Sequence, residues 1–233
     1  MATPTTQVKL TYDDYQCFPA DGRRHEILDG EHFMTPAPFV RHQRLSGRLH
    51  HLLSSYLDHH PVGEVLAAPC TVVLSEVDVV EPDLLFISAE RAGIATAKEI
   101  RGAPDLVVEI LSDSTRRTDE LIKRKLYERA GVREYWVVDP VLDAVKVYRR
   151  EWGGFGRSAE LTREAGDTLT TPLLPGLALA QATRFAGSPA SPAASYPAGR
   201  QRLSRRLLPT TVTLESAIAR EAKTGESRRP KKG

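Results

Sequence analysis

The sequence is short of several things that would fix its class at once. It has two cysteines in 233 residues, Cys17 and Cys70, and they form no CxxC pair. A disulfide framework and a structural zinc site are therefore not indicated. There is no apolar run long enough to cross a bilayer, and MATPTTQVKLTYDDY lacks the apolar core of a signal peptide. A cytoplasmic protein without membrane attachment is the expectation. There is no internal repeat, and no strong excess of one charge, the formal net charge being +2.

That small net charge hides an asymmetry. From Ala186 onward the chain carries ten Lys/Arg and three Glu, and the remainder carries 22 basic and 27 acidic residues. The first part is mildly acidic and the basic charge is gathered at the end. The stretch AGSPASPAASYPAG is small, Pro-rich and non-periodic, which suits a linker rather than a core. We therefore expect a folded domain over residues 1–185, followed over 186–233 by a Pro/Ala-rich linker and a basic, disordered tail.

Before residue 186 helical and extended patterns alternate. HEILDGEHFM reads as a hairpin turning at Asp29-Gly30. In FVRHQRLSGRLHHLLSSYLDHH, Leu45, Leu49, Leu52 and Tyr56 recur at helical spacing, with His42 on the same face. CTVVLSE, EPDLLFIS and DLVVEILS read as strands. TDELIKRKLYERAG reads as a helix stopped by Gly131, and EYWVVDP with AVKVYRR as a strand pair. The order predicts an α/β fold with a mixed central β-sheet flanked by helices.

One residue is out of place in this pattern. DLVVEILS is apolar on both alternating faces, as in a central strand covered on both sides, except at Glu109. A buried carboxylate needs a cation, hydrogen bonds or a metal. On the next helix Ile122, Leu126 and Ala130 form an apolar stripe, with Asp119 and Lys123 within or beside it and Tyr127 at its edge. Lys123 is thus the lysine aimed at the sheet, although Asp119 and Lys123 also suit a plain i,i+4 ion pair.

Other candidates are open to ordinary explanations. Asp83 follows Pro82 at the start of an apolar strand, where it could stand beside Glu109 or simply serve as a strand-entry residue. Asp105 repeats the Pro-Asp pair but lies four residues before Glu109, about 13 Å away along a strand and too far to share an ion. Glu26 in the hairpin is more commonly a solvent-facing glutamate, and His42 more commonly a core or edge histidine than a ligand. His50-His51 and His59-His60 look like helix surface and helix end, with no cysteine at zinc-ligand spacing.

Taken together, Glu26, the helix from His42, Pro82-Asp83, VVEILS, DELIKRKLY and GVREYWVVDP resemble the Uma-type family of restriction endonucleases, within the PD-(D/E)XK nuclease superfamily. The resemblance runs from about Tyr12 to about Leu179. The superfamily places a lysine two residues after the acid, where this chain has Leu111. The resemblance implies that the lysine has moved to the following helix, at Lys123.

The resemblance further implies a restriction-endonuclease-like fold and Mg²⁺- or Mn²⁺-dependent hydrolysis of DNA. Asp83 and Glu109 would hold the ion, joined by the Ile110 carbonyl. Lys123 would orient water or stabilise the transition state. Glu26 would complete the ion's shell or position Lys123, with His42, Asp119 and Tyr127 as accessories. A non-catalytic nucleic-acid-binding module on the same fold is the alternative. The long helix leaves a homodimer open.

Overall fold

A computed structural model describes residues 8–180. The linker and basic tail expected from residue 186 lie outside the described residues. The chain opens with α1 (Tyr12–Tyr15), the hairpin β1 (Arg24–Leu28) and β2 (Glu31–Thr35), and the long α2 (Val40–Leu57). Strands β3 (Gly63–Ala67), β4 (Val72–Ser75), β5 (Asp78–Val80) and β6 (Leu84–Ser88) follow. A 3₁₀ turn (Ala89–Ile94) leads to β7 (Ile100–Arg101) and β8 (Leu106–Ile110). A π turn (Thr118–Lys123) runs into α3 (Arg124–Ala130). Strands β9 (Glu134–Asp139), β10 (Ala144–Glu151), β11 (Gly154–Phe155), β12 (Ala159–Thr162), β13 (Thr168–Leu169) and β14 (Leu179–Ala180) complete the order.

Two sheets carry the site. The larger runs β11-β10-β9-β8-β6-β3, with β12 beside β10. It is mixed, since β8 is parallel to β9 and antiparallel to β6. The smaller runs β2-β1-β5-β4-β7. The β1–β2 hairpin turns at Asp29 and Gly30, both with positive φ, which is the two-residue turn that Asp-Gly favours. A Cβ on Gly30 would lie 2.4 Å from that of Lys9, so the turn demands glycine on steric as well as conformational grounds.

The strand β8 is central, as its two-sided apolar pattern predicts. Leu106, Val108 and Ile110 join one cluster with Leu45, Leu49, Leu53 and Leu57 of α2. Val107 and Leu111 join the other cluster with Leu85, Leu126, Tyr127 and Val137. Each fully buried leucine contributes roughly 1.5–3 kcal/mol relative to exposure.

Three details correct the sequence reading. The buried stripe of α2 runs through Leu53 and Leu57, while Leu52 and Tyr56 only edge it. Strands β3 and β5 are additional to those expected from sequence, and β5, with three residues, is too short to show a period. Ile122 is 39% exposed rather than part of the apolar stripe. It falls in the π turn, whose wider winding shifts residues away from positions drawn on an α-helical wheel.

Candidate active site

The π turn decides which side chains reach the sheet. It buries Asp119 and Lys123, and α3 continues by burying Leu126 and Tyr127. Gly131, in the left-handed conformation with φ of 94°, ends the helix where the sequence placed the stop. Lys123 Nζ lies 2.9 Å from Glu109 Oε1, 2.8 Å from Glu26 Oε1 and 3.6 Å from Asp119 Oδ1. Tyr127 donates its hydroxyl to the same Glu109 oxygen at 2.8 Å. Both donors use Oε1, so neither engages the second oxygen of Glu109.

Glu26 is not a surface residue. It is 1% exposed, and besides Lys123 it accepts the Glu81 backbone N–H at 2.9 Å. The hairpin delivers it: β1 joins the smaller sheet through β5, which turns Glu26 inward instead of toward solvent.

Asp83 stands one step beyond the Leu84–Val108 pair of β6 and β8, at the position facing Glu109. Its carboxylate replaces the missing ladder partner by accepting the Ile110 N–H at 2.8 Å. The other contacts are cationic or imidazole. Arg24 donates through both terminal nitrogens to Oδ1 at 2.9 Å, and His42 Nε2 lies 3.0 Å from Oδ2. His42 Nδ1 is buried and has no hydrogen-bond partner among the described residues.

All the proposed side chains therefore gather in one region, in two linked groups. Glu26, Glu109, Asp119 and Tyr127 surround Lys123, while His42 and Arg24 hold Asp83. Arg24 was missed by the sequence reading. A signal was available, because Arg24 lies two residues before Glu26 on one strand and so shares its face.

The electrostatics follow from burial. Four carboxylates, Glu26, Asp83, Glu109 and Asp119, are at most 2% exposed. Two permanent cations, Lys123 and Arg24, lie among them. Burial pushes Glu109 up to about 8, against the pull of Lys123. Burial likewise lifts Asp119 to about 6. Burial would also raise Asp83, but the His42 hydrogen bond, the Arg24 charge and the Ile110 N–H hold it below the usual range. Lys123 stays well above its ordinary value because its three carboxylates outweigh its burial.

The oxygens of this donor set are of the kind a hard divalent cation takes. The two carboxyl groups facing each other at β6 and β8 offer oxygens, and the buried region holds two more carboxyl groups than permanent cations. Among the described residues no three His, Cys, Asp or Glu side chains are spaced to hold an ion. The fit thus rests on Asp83 and Glu109 with backbone oxygen, and Glu26 is turned onto Lys123. A narrow cavity of about 80 Å³, lined by Glu26, Asp119, Lys123, Thr35 and Thr115, opens onto the lysine. No helix among the described residues is long and apolar enough to cross a membrane.

Comparison with known proteins agrees with the motif reading. The model of the Uma2 family, described as "Putative restriction endonuclease", matches residues 12–182. A solved structure described as "a putative nuclease belonging to DUF820 from Anabaena variabilis" has a TM-score of 0.64 at 20% identity. The similarity covers 76% of this chain and 97% of that one, and it shows a shared fold. No curated protein matches the chain.

Proposed function

The chain belongs to the Uma2 family, and from that premise we propose that it is an Mg²⁺- or Mn²⁺-dependent endonuclease hydrolysing DNA phosphodiester bonds. The observation that carries this reading is the convergence of Lys123 on Glu109, beside Asp83 on the facing strand. A lysine next to a pair of opposed carboxylates supplies the charges that phosphodiester hydrolysis needs.

Asp83 and Glu109 would hold the divalent ion. When bound, such an ion makes a water nucleophilic near neutral pH and offsets the negative charge that develops at phosphorus. The protein's own groups do the rest. Lys123 orients water at the phosphate and stabilises the transition state. Glu26 and Asp119 fix the ammonium in place. Tyr127 holds Glu109, and Arg24 with His42 holds Asp83. The polar slot that Lys123 lines with Glu26 and Asp119 would be the phosphate's route to the ammonium.

The second reading is a non-catalytic nucleic-acid-binding module. It is favoured by the fact that each of the four carboxylates already has a cation or imidazole partner. An assay on single-stranded, double-stranded and branched DNA separates the two. The nuclease reading expects cleavage that needs Mg²⁺ or Mn²⁺ and is lost in Asp83→Ala, Glu109→Ala and Lys123→Ala. DNA retention without turnover under every metal condition would establish the binding module instead.

A further inference from the structure

A second concavity lies beside the site and has no part in the chemistry above. Its volume is about 360 Å³. Tyr12, Tyr15, Phe18 and His25 wall it, with Arg23 and Lys98 among its lining. The rings form a continuous chain of contacts: Tyr12 stacks on Tyr15, Tyr15 meets Phe18 edge-on, and Phe18 lies 5.5 Å from His25. Two hydrogen-bonding groups complete the wall. The Tyr15 hydroxyl donates to Glu81 Oε1 at 2.8 Å and lies 3.1 Å from the Thr71 hydroxyl. The other Glu81 oxygen is not used by that bond.

The pocket is joined to the candidate active site. Ala20, Arg23 and Glu81 also line a groove of about 550 Å³ that contains Arg24, the residue fastened to Asp83. Glu81 touches both places, since its backbone N–H binds Glu26 while its side chain walls the pocket. The alternation of β1 explains the neighbourhood: Arg24 and Glu26 reach the carboxylates, and His25 between them reaches the pocket. A plain structural role accounts for part of the aromatic cluster, because Tyr12 packs on Ile27, Val73 and Val79. Tyr15 and Phe18 edge the same cluster, and Phe18 also lies 4.4 Å from His32, but both are only half-buried and line the open cavity together with Arg23, Lys98, Glu81 and Glu99.

We propose that this pocket receives an unpaired base of the substrate strand, next to the phosphate being cut. The proposal rests on the nuclease reading and names its substrate class: single-stranded, flapped or mismatched DNA. Aromatic walls stack a base of any sequence, and Arg23 and Lys98 attract the strand that carries it. Glu81 adds an acceptor, which favours bases bearing an exocyclic amine. A base within a perfect duplex enters only after unstacking, which costs a few kcal/mol.

The test uses the full chain with metal chelated, so that binding is read without turnover. Fluorescein-labelled single-stranded DNA and its blunt duplex are titrated by anisotropy, with free dCMP as competitor. The wild type should prefer the single strand. Phe18→Leu should weaken single-strand binding by roughly tenfold, the scale of one lost base stack, and leave duplex binding unchanged. Glu81→Gln should reduce the preference for cytosine over thymine in otherwise equal strands, a readout independent of whether Phe18→Leu folds. Equal wild-type affinity for single strand and duplex would overturn the proposal. So would Phe18→Leu weakening both forms alike, or dCMP binding in the absence of strand binding. Absence of metal-dependent cleavage in the wild type, beside intact single-strand preference, would remove the nuclease reading and keep the pocket.

Discussion

Lys123 reaches Glu109 across 14 positions of sequence, with 2.9 Å between Nζ and Oε1. A strand lysine two residues after the acid would sit at Leu111, which is instead packed in the core. Both the strand and the π turn deliver their charge to the same point, so the fold tolerates the displacement of the lysine along the chain.

Removing that lysine should hurt more than activity. Lys123→Met leaves Glu26, Glu109 and Asp119 buried without their shared cation, a change expected to cost about 3–5 kcal/mol near neutral pH. Urea unfolding measures it. The loss should shrink at acidic pH, where the carboxylates are protonated. An equal loss at both pH values would show that packing and not charge is responsible.

The stability of the metal-free protein should fall as pH rises across neutrality. Glu109 titrates at about 8 in the folded chain, against about 4.3 in an unfolded one. Between those values the folded state holds more protons, so stability declines with increasing pH. Asp119, lifted to about 6, acts in the same direction over a narrower window. Glu109→Gln should flatten the decline. Chemical denaturation at a series of pH values decides the matter, and parallel curves for the two proteins would contradict it.

The two Pro-Asp pairs should separate cleanly in a mutant comparison. Asp105 is fully buried, accepts the Ser88 N–H and is paired with Arg91 and Arg133 away from the candidate site. Asp105→Ala should cost about 1–3 kcal/mol by leaving those donors unmet, with specific activity of the folded fraction retained. Asp83→Asn should abolish cleavage. Activity normalised to folded protein distinguishes them.

Mn²⁺ or Mg²⁺ should raise the melting temperature, and more so at pH 8 than at pH 6, because the ion competes with the proton on Glu109. Glu109→Gln and Asp83→Asn should each lose the shift. A shift that persists in both variants would place the ion elsewhere.

Much of this arrangement was legible beforehand, for physical reasons. Glu109 announced itself because a charge in a two-faced apolar strand is costly, and the Asp29-Gly30 turn because few dipeptides adopt its backbone. Lys123 was found by an α-helical wheel that then failed at Ile122, one residue earlier, since nothing in local composition marks a π turn. The burial of Glu26 was hidden for a different reason. Its environment is made by Val79 and Lys123, distant in sequence, and the hairpin alone cannot reveal which face is covered. Arg24, two residues earlier on the same strand face, follows once Glu26 is known to point inward.

The candidate site draws on the first hairpin, the entry to β6, the central strand and the helix that follows. Its participants span Arg24 to Tyr127, and no continuous short segment contains more than a fraction of them. A chain that is still being synthesised, or one that has lost the smaller sheet, therefore carries no working fragment of the machinery. The candidate site is a property of the completed fold: it exists only where the hairpin, the entry to β6, β8 and the π turn are packed together.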